Sequence, residues 1–368
     1  MVDMIFNSFK IKYSLMDEFI EENELKFNNK RPVNIFINFD TILKSLANKD
    51  INEFSASCDT KKVALKVIGN IINLASHYRH YFYKRRIYTR IIMFSTFPVA
   101  KHEYKNRAFN PHFKKNFDNK IVNIDTPVTR IIINQAIPML KIIFDYIEDV
   151  HFITTDQLES SIIPLIYLND VLKGEECDNI IITKDKFDYQ YVAKGFYLFR
   201  PKLADSYCIT RDNLIEKLKE ENDIKSTETV DPSFISFINC VMGDGYRNVP
   251  KLKRVGISTL MKVINKGIKS NIIAERDNSI YLLVDLVKPE FKQILLNNYR
   301  QLDLDGQYMT ITVSDKYNIK SQCDNKFDNN SLKELTCKYF TDFPVYIDEL
   351  VNVQKKICYY NKRTVFDN

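Results

Sequence analysis

The feature that most constrains this chain is an alternation of short, continuously apolar runs with longer stretches of helical period. The apolar runs are VNIFINFD, IYTRIIMFST, HFITT, NIIITKDKF and KGFYLFRPK. A run that is apolar at consecutive positions suits a strand buried on both faces, as in a parallel sheet. Between the runs lie KKVALKVIGNIINLASHYRHYFYKRR, IPMLKIIFDYIEDV and DQLESSIIPLIYLNDVLKG, the last stopped by Gly174. Their apolar residues recur at helical spacing. Strands alternating with helices predict an α/β fold, a mostly parallel sheet flanked by helices on both faces and joined by right-handed crossovers. Ligands of such sheets bind beyond the carboxyl ends of the strands. Asp40, Ser95 and Asp185 all stand at such ends and are expected on one rim.

The pattern also divides the chain. Residues 1–30 carry mixed charge around apolar positions and read as an N-terminal helical extension. Residues 31–209 hold the alternating α/β pattern. Within them, 101–120 is polar, basic and proline-containing, a loop or mobile helix pair. Its cations Lys101, Lys105, Arg107, Lys114, Lys115 and Lys120 face only Glu103 and Asp118 as balancing acids. From about residue 210 to 310 the period becomes helical. RDNLIEKLKEENDIKS is highly charged and reads as a solvated helix or linker. PSFISFINCVMG and ISTLMKVINKGI read as helices flanking the basic turn DGYRNVPKLKRVG. Residues 311–368 show no motif with a nameable role, and SQCDNKFDNNS is loop-like.

Composition excludes several classes. With 45% hydrophobic and 27% charged residues, the chain can bury a large core. No uncharged apolar run approaches the length of a membrane span, so no membrane association is expected. The N-terminus has scattered charges and no apolar signal core, which predicts an intracellular protein. The seven cysteines are scattered singly with no CxxC pair, which argues against a disulfide framework and a structural zinc site. The five histidines show no metal-ligand spacing. The net charge of +6 permits a nucleic-acid partner without demanding one. Ile, Asn and Lys, all with AT-rich codons, are abundant, which points to a viral or phage source. The protein would then work in the cytoplasm of a bacterial host or in association with a virion.

Three segments, in order, resemble the 5′-nuclease superfamily of flap endonucleases and phage 5′→3′ exonucleases of the T-even ribonuclease H type. MGDGYRNVPKLKRVGISTLMKVI (242–264) is similar to the family pattern M-G-D-x-x-D-N-I-P-G-V-P-G-I-G-x-x-T-A. It keeps Met242, Gly243, Asp244, Asn248, Pro250, Gly256 and Thr259. TKDKFDYQYV (183–192) is similar to T-G-D-K-D-L-L-Q-L-V and keeps Thr183, Asp185, Lys186, Gln190 and Val192. HEYKNR (102–107) is similar to P-E-Y-K-A-N-R. The resemblance spans roughly residues 31–310. It implies a PIN-like sheet followed by a helical, helix–three-turn–helix DNA-binding region, with duplex or branched DNA as partner. It also implies a rim of carboxylates holding two divalent metals, Mg²⁺ or Mn²⁺, that activate water against a phosphodiester.

The same alignment shows departures. Asp40, Asp185 and Asp244 match family acids and are the expected catalytic and metal-ligating residues. The acid expected after the second strand falls on Ser95, and the E-A-D-D signature falls on Leu158, Glu159, Ser160 and Ser161. The second acid of D-K-D is Phe187, and that of G-D-x-x-D is Arg247. Glu159, Asp188 and Asp156 are nearby substitutes, although Glu159, if helical, would point about 100° away from its neighbour. The expectation is a site with weak or absent Mg²⁺ or Mn²⁺ and with hydrolysis impaired or lost. An active Mg²⁺- or Mn²⁺-dependent 5′→3′ exonuclease or flap endonuclease with a rearranged carboxylate site remains the alternative. A third reading is a protein-interaction module on a nuclease fold, its partner meeting the N-terminal extension or the C-terminal segment. The resemblance assigns DNA contact to Lys101, Lys105, Arg107, Lys114, Lys115, Arg247, Lys251, Lys253, Arg254 and Lys262. The run HYRHYFYKRR suits either phosphate contact with base stacking or a helix whose aromatics face the core.

Overall fold

The computed structural model describes residues 31–41, 60–96, 131–147, 149–155, 158–200, 207–244, 247, 249–274 and 283–324, with Leu25, Phe27 and Glu334 besides. The basic segment 101–120, Asp156, Asn248, most of the N-terminal 30 residues and nearly all of 325–368 lie outside the described residues.

A six-stranded sheet organises the molecule, in the order β3-β2-β1-β4-β5-β6. Its strands are β1 (Val33–Asn38), β2 (Thr89–Ser95), β3 (Val150–Thr154), β4 (Asp178–Ile182), β5 (Tyr197–Arg200) and β6 (Tyr207–Ile209). β1 lies at the centre, buried along its whole length, with Ile35 paired to Ile91 on one side and Ile180 on the other. The continuous apolar run predicted this: a central strand covered on both faces has no side to leave polar. The first five strands are parallel. β6, which the sequence pattern does not reveal, is three residues long and pairs antiparallel to β5 at the edge.

Two cores pack on opposite faces, as the parallel arrangement requires. One is built on α1 (Thr60–Lys84) and α2 (Ile137–Phe144) against Val33, Ile35 and Ile37. The other gathers Phe36, Ile92 and Ile181 with the turns and helices that follow β3. It includes the single turns α3 (Ile163–Ile166) and α4 (Tyr189–Ala193), then α5 (Leu214–Glu221) and α6 (Ile235–Met242). It continues through α7 (Ile257–Lys269), α8 (Pro289–Leu302), α9 (Leu304–Tyr308) and α10 (Val313–Ser321). In α1, Tyr78, Tyr81 and Phe82 are core residues and Arg79 is itself buried, while Arg85 and Arg86 are exposed. Tyr78, Tyr81 and Phe82 of HYRHYFYKRR therefore build core rather than a stacking surface.

Three predicted elements differ in detail. The segment around residues 158–171 is not one helix but a 3₁₀ turn (Ser160–Ile162), the α3 turn and a π-turn (Tyr167–Val171) in series. Pro164 at the start of α3 removes an amide donor that a continuous helix would use. The charged segment after residue 210 is not merely solvated, because Leu214, Ile215 and Leu218 of α5 are buried. The helical pattern also continues past residue 310, in α10.

Buried side-chain amides fasten the later helices and turns to one another. Gln190 donates from Nε2 to the Leu302 carbonyl at 2.8 Å and accepts from the Leu304 amide at 3.1 Å. Asn298 donates to the Cys240 and Pro250 carbonyls, both at 2.8 Å. Such buried donors hold orientation because leaving one unmade costs about 1–3 kcal/mol. Among the described residues, no helix is long and apolar enough to cross a membrane.

Candidate functional site

The strand order fixes where the site sits. The chain runs from β1 outward through β2 to β3, then returns to place β4 on the other flank of β1. The winding reverses between β1 and β4, and a crevice opens beyond their carboxyl ends. Asp40 follows β1, Ser95 ends β2, and Asp185 follows β4. The structure brings these residues onto one rim, together with the 158–161 turn and the turn after α6. It sorts them into two groups.

The first group is centred on Asp40. Its Oδ1 accepts from Ser95 Oγ at 2.5 Å. Its Oδ2 accepts from Ser160 Oγ at 2.8 Å, from Thr96 Oγ1 at 2.7 Å and from the Thr96 amide at 3.1 Å. Ser95 and Ser160 occupy two positions where the resemblance expects acids. Here both are buried hydroxyls that donate to the remaining carboxylate. With four donors, the oxygens of Asp40 are engaged by neutral groups.

The second group is centred on Arg247. Its guanidinium Nη1 meets Asp244 Oδ2 at 2.6 Å, and Nη2 meets Asp185 Oδ2 at 2.8 Å and Glu159 Oε1 at 2.5 Å. The side chain is only 5% exposed. Burial alone would lower its pKa, but Asp185, Glu159 and Asp244 more than reverse that and hold it well above the usual arginine value. Phe187 lies beneath, with the guanidinium carbon 4.2 Å from the ring centroid. That distance suits a cation over an aromatic face. The two departures Phe187 and Arg247 are thus partners in space.

Local geometry explains how each acid reaches the guanidinium. Glu159 is extended (φ −70°, ψ 130°) and precedes the 3₁₀ turn, so it is not on a helix as considered from sequence. Adjacent residues of extended chain point to opposite sides. Glu159 turns to Arg247 while Ser160 turns to Asp40. Asp185 caps the turn after β4, its Oδ1 accepting from the Phe187 amide at 3.0 Å. Asp244 and Arg247 share a tight turn closed by paired backbone bonds between Asp244 and Val249, at 3.0 and 2.8 Å. Gly243 starts that turn at φ +64°, and a Cβ there would lie 2.5 Å from the Val249 carbonyl oxygen and 2.6 Å from the Lys251 nitrogen. Only glycine meets both demands.

Asp188 lies beneath the rim, between the groups. It is fully buried and accepts at Oδ2 from Thr183 Oγ1 at 2.6 Å and from Asn38 Nδ2 at 3.1 Å. Its Oδ1, and Oδ1 of Asn38, are buried with no hydrogen-bond partner among the described residues. Burial, reinforced by Asp185, pushes its carboxyl up to about 7.

The residues at the rim do not fit a two-metal centre. Among the described residues, no three His, Cys, Asp or Glu side chains form a group that could hold a metal ion. A divalent cation needs several free oxygens within about 2.0–2.6 Å. Asp40 has its oxygens committed to hydroxyls, and a guanidinium stands among the other three carboxylates. Arg247, assigned to DNA contact by the resemblance, is instead buried and committed to those carboxylates. Lys251, Lys253, Arg254 and Lys262 are exposed, on the turn before α7 and on α7 itself.

No family model matches the chain. The chain is similar to the 5′-3′ exonuclease of Buchnera aphidicola subsp. Acyrthosiphon pisum (strain APS). The two are 24% identical over 318 residues, 86% of this chain and 91% of that protein. This match supports the 5′-nuclease superfamily. Among solved structures, the chain is similar to the bacteriophage T5 D15 protein co-crystallised with metal ions, at TM-score 0.46 and 13% identity. That match covers 88% of this chain and 99% of that one. It is also similar to human GEN1 in complex with Holliday junction DNA, at TM-score 0.41 and 13% identity, over 87% of this chain and 71% of that one.

Sequence reasoning missed the roles of Ser95, Ser160, Asn38 and Thr183 as donors and of Arg247 as a hub. The signal for the last was present. Two expected acids are replaced together, one by an aromatic ring and one by a guanidinium, a pair that forms a favourable contact.

Proposed function

We propose that this protein is a 5′-nuclease-like DNA-binding protein, impaired or inactive in phosphodiester hydrolysis. It serves as an accessory factor in DNA metabolism or as a structural factor, in a viral or phage setting. The observation that carries this reading is the buried Arg247 guanidinium shared by Glu159, Asp185 and Asp244. Hydrolysis by two metals needs those carboxylates free to neutralise the ions and orient water. A guanidinium has no open coordination position and cannot generate hydroxide.

DNA binding is supported by a different surface. Lys251, Lys253, Arg254 and Lys262 are exposed, and Lys266 and Lys269 continue along α7 at spacings of four and three residues. The first turn of α7 has no side-chain cap at Gly256, so its amides remain for an anionic partner. These contacts address phosphates and carry no base recognition.

The test is a 5′-flap and a nicked duplex incubated with Mg²⁺, Mn²⁺ or EDTA, beside an Asp185→Asn control, with binding recorded in the same samples. The expected result is binding without cleavage. Affinity should fall by roughly 10³ between 50 and 200 mM salt if about six phosphates are neutralised. Metal-dependent cleavage lost in the control would establish the rearranged active enzyme instead. Absence of both binding and cleavage would favour a protein-interaction module.

A further inference from the structure

Helix α10 is apolar on two sides, and the described residues use only one of them. Its inner side carries Ile319, which is 1% exposed and belongs to the second core. The helix is also anchored along its length. Lys316 lies 3.7 Å over the Tyr308 ring, and Tyr308 donates to Asp170 at 2.9 Å. At its end the Gln322 side chain pairs with the backbone of Thr154 on the edge strand β3. It accepts from the Thr154 amide and donates to the Thr154 carbonyl, both at 2.9 Å, and Lys141 donates to the same Gln322 oxygen at 2.9 Å. The outer side carries Val313 and Tyr317, four residues apart, with Met309 four residues earlier. These three are 85%, 71% and 83% exposed. A single exposed apolar residue is ordinary, but three at this spacing on an anchored element form a patch that water disfavours.

The sequence that leaves this helix matches the patch. Residues 324–330 are a mostly polar linker, and Ser331 and Glu334 have the S-x-x-E spacing of a helix start. Leu332, Leu335, Tyr339 and Phe343 follow at spacings of three, four and four, which is one stripe of a helix, and Pro344 stops it. Glu334, which this stripe leaves on the far side, is helical and exposed.

We infer that residues 332–343 fold back antiparallel along α10 and bury Leu332, Leu335, Tyr339 and Phe343 against Met309, Val313 and Tyr317. The linker reaches: packed helix axes lie about 8–10 Å apart, and seven extended residues span up to about 25 Å. The helix would run about 18 Å, enough to pass the whole patch. A tethered segment is also the occupant that so small a patch can hold. Its area is on the order of a few hundred Å², whereas a stable contact between separate chains buries about 1,200–2,000 Å². A short linker supplies an effective concentration on the order of millimolar, which a separate partner lacks. The inference makes no use of the rim carboxylates, so it stands or falls apart from the proposed function.

The test is amide hydrogen exchange on the full chain, for the wild type, Val313→Asp/Tyr317→Lys and Leu335→Asp/Tyr339→Asp. The first variant puts an acid at the first residue of α10, where the helix dipole favours it, and pairs it with a cation four residues on. It therefore removes the patch without weakening the helix. In the wild type the amides of 332–343 should exchange about tenfold or more slowly than an unstructured chain of the same sequence. Both variants should return them to the unstructured rate while the amides of β1 stay protected. Fast exchange of 332–343 in the wild type would overturn the inference, as would protection that survives both variants. Should either variant fail to fold, mild oxidation of Val313→Cys/Tyr339→Cys decides instead. A disulfide between these two positions within one chain supports the fold-back, and its absence overturns it. Light scattering tests the other occupant: a wild-type dimer that dissociates in Val313→Asp/Tyr317→Lys would assign the patch to a second copy and overturn the inference too.

Discussion

The two halves of the rim meet the same demand in opposite ways. Around Asp40, one carboxylate is satisfied by three neutral hydroxyls and an amide. Around Arg247, three carboxylates are satisfied by one cation. The first solution is made of local, rotatable donors that can re-pair with one another or with water. The second is an ion network in which every member depends on a single buried group. The difference teaches where the rim is brittle. Neutral hydrogen bonds to a charged group contribute about 1.5–3 kcal/mol each and degrade gradually, whereas deleting one partner of a buried ion pair strands the remaining charges.

The largest expected effect tests the brittle half. Arg247→Met keeps much of the volume and the contact with Phe187 but leaves three carboxylates facing each other. It should destabilise the protein by about 3–5 kcal/mol in denaturant unfolding at pH 8. The loss should shrink as salt rises, because mobile ions screen the stranded charges. A loss below about 1 kcal/mol, or one independent of salt, would show that the carboxylates do not rely on the guanidinium.

A smaller effect tests the seam between the halves. Asp188 has its carboxyl raised to about 7, by burial first and by Asp185 second. The folded state therefore binds a proton that the unfolded state releases near pH 4. This contribution is fully present below about pH 4 and is lost as pH rises through about 7. Asp188→Asn mimics the protonated form at every pH, can accept from Thr183 and can donate to the unpartnered Asn38 Oδ1. Its stability relative to wild type should rise by on the order of 2 kcal/mol between pH 4 and pH 8. A constant difference over that range would mean that Asp188 ionises normally in the fold.

The sheet was legible in the sequence because burial on both faces leaves a continuous apolar run, as in Val33–Asn38 and Asp178–Ile182. β6 was not, because three residues at an edge are too short to show a period. The position of the rim was legible for the same topological reason that places Asp40 and Asp185 at strand ends. Its chemistry was only half legible. Substitution of acids by Ser95, Ser160, Phe187 and Arg247 could be read as lost charge. That the serines turn to Asp40 and the arginine to the other acids could not, because it depends on side-chain direction in a turn. Glu159 and Ser160 are adjacent in sequence, yet they serve different halves because Glu159 is extended and Ser160 begins the 3₁₀ turn.

The smallest effect tests the resilient half. Asp40→Asn retains one acceptor oxygen and places an NH₂ group where Ser95, Ser160 or Thr96 now donate. Hydroxyls can rotate to accept from that group, so the loss should be about 1 kcal/mol. Only the Thr96 amide cannot reorient, and it sets a floor on the cost. The destabilisation should also be nearly additive with Arg247→Met, because the first group is held by neutral hydrogen bonds whereas the guanidinium pairs with Glu159, Asp185 and Asp244. Coupling above about 1 kcal/mol in the double-mutant cycle would mean that Asp40 belongs electrostatically to the Arg247 network. The rim would then be one charged cluster rather than two, and the extended step from Glu159 to Ser160 would be the link that joins them.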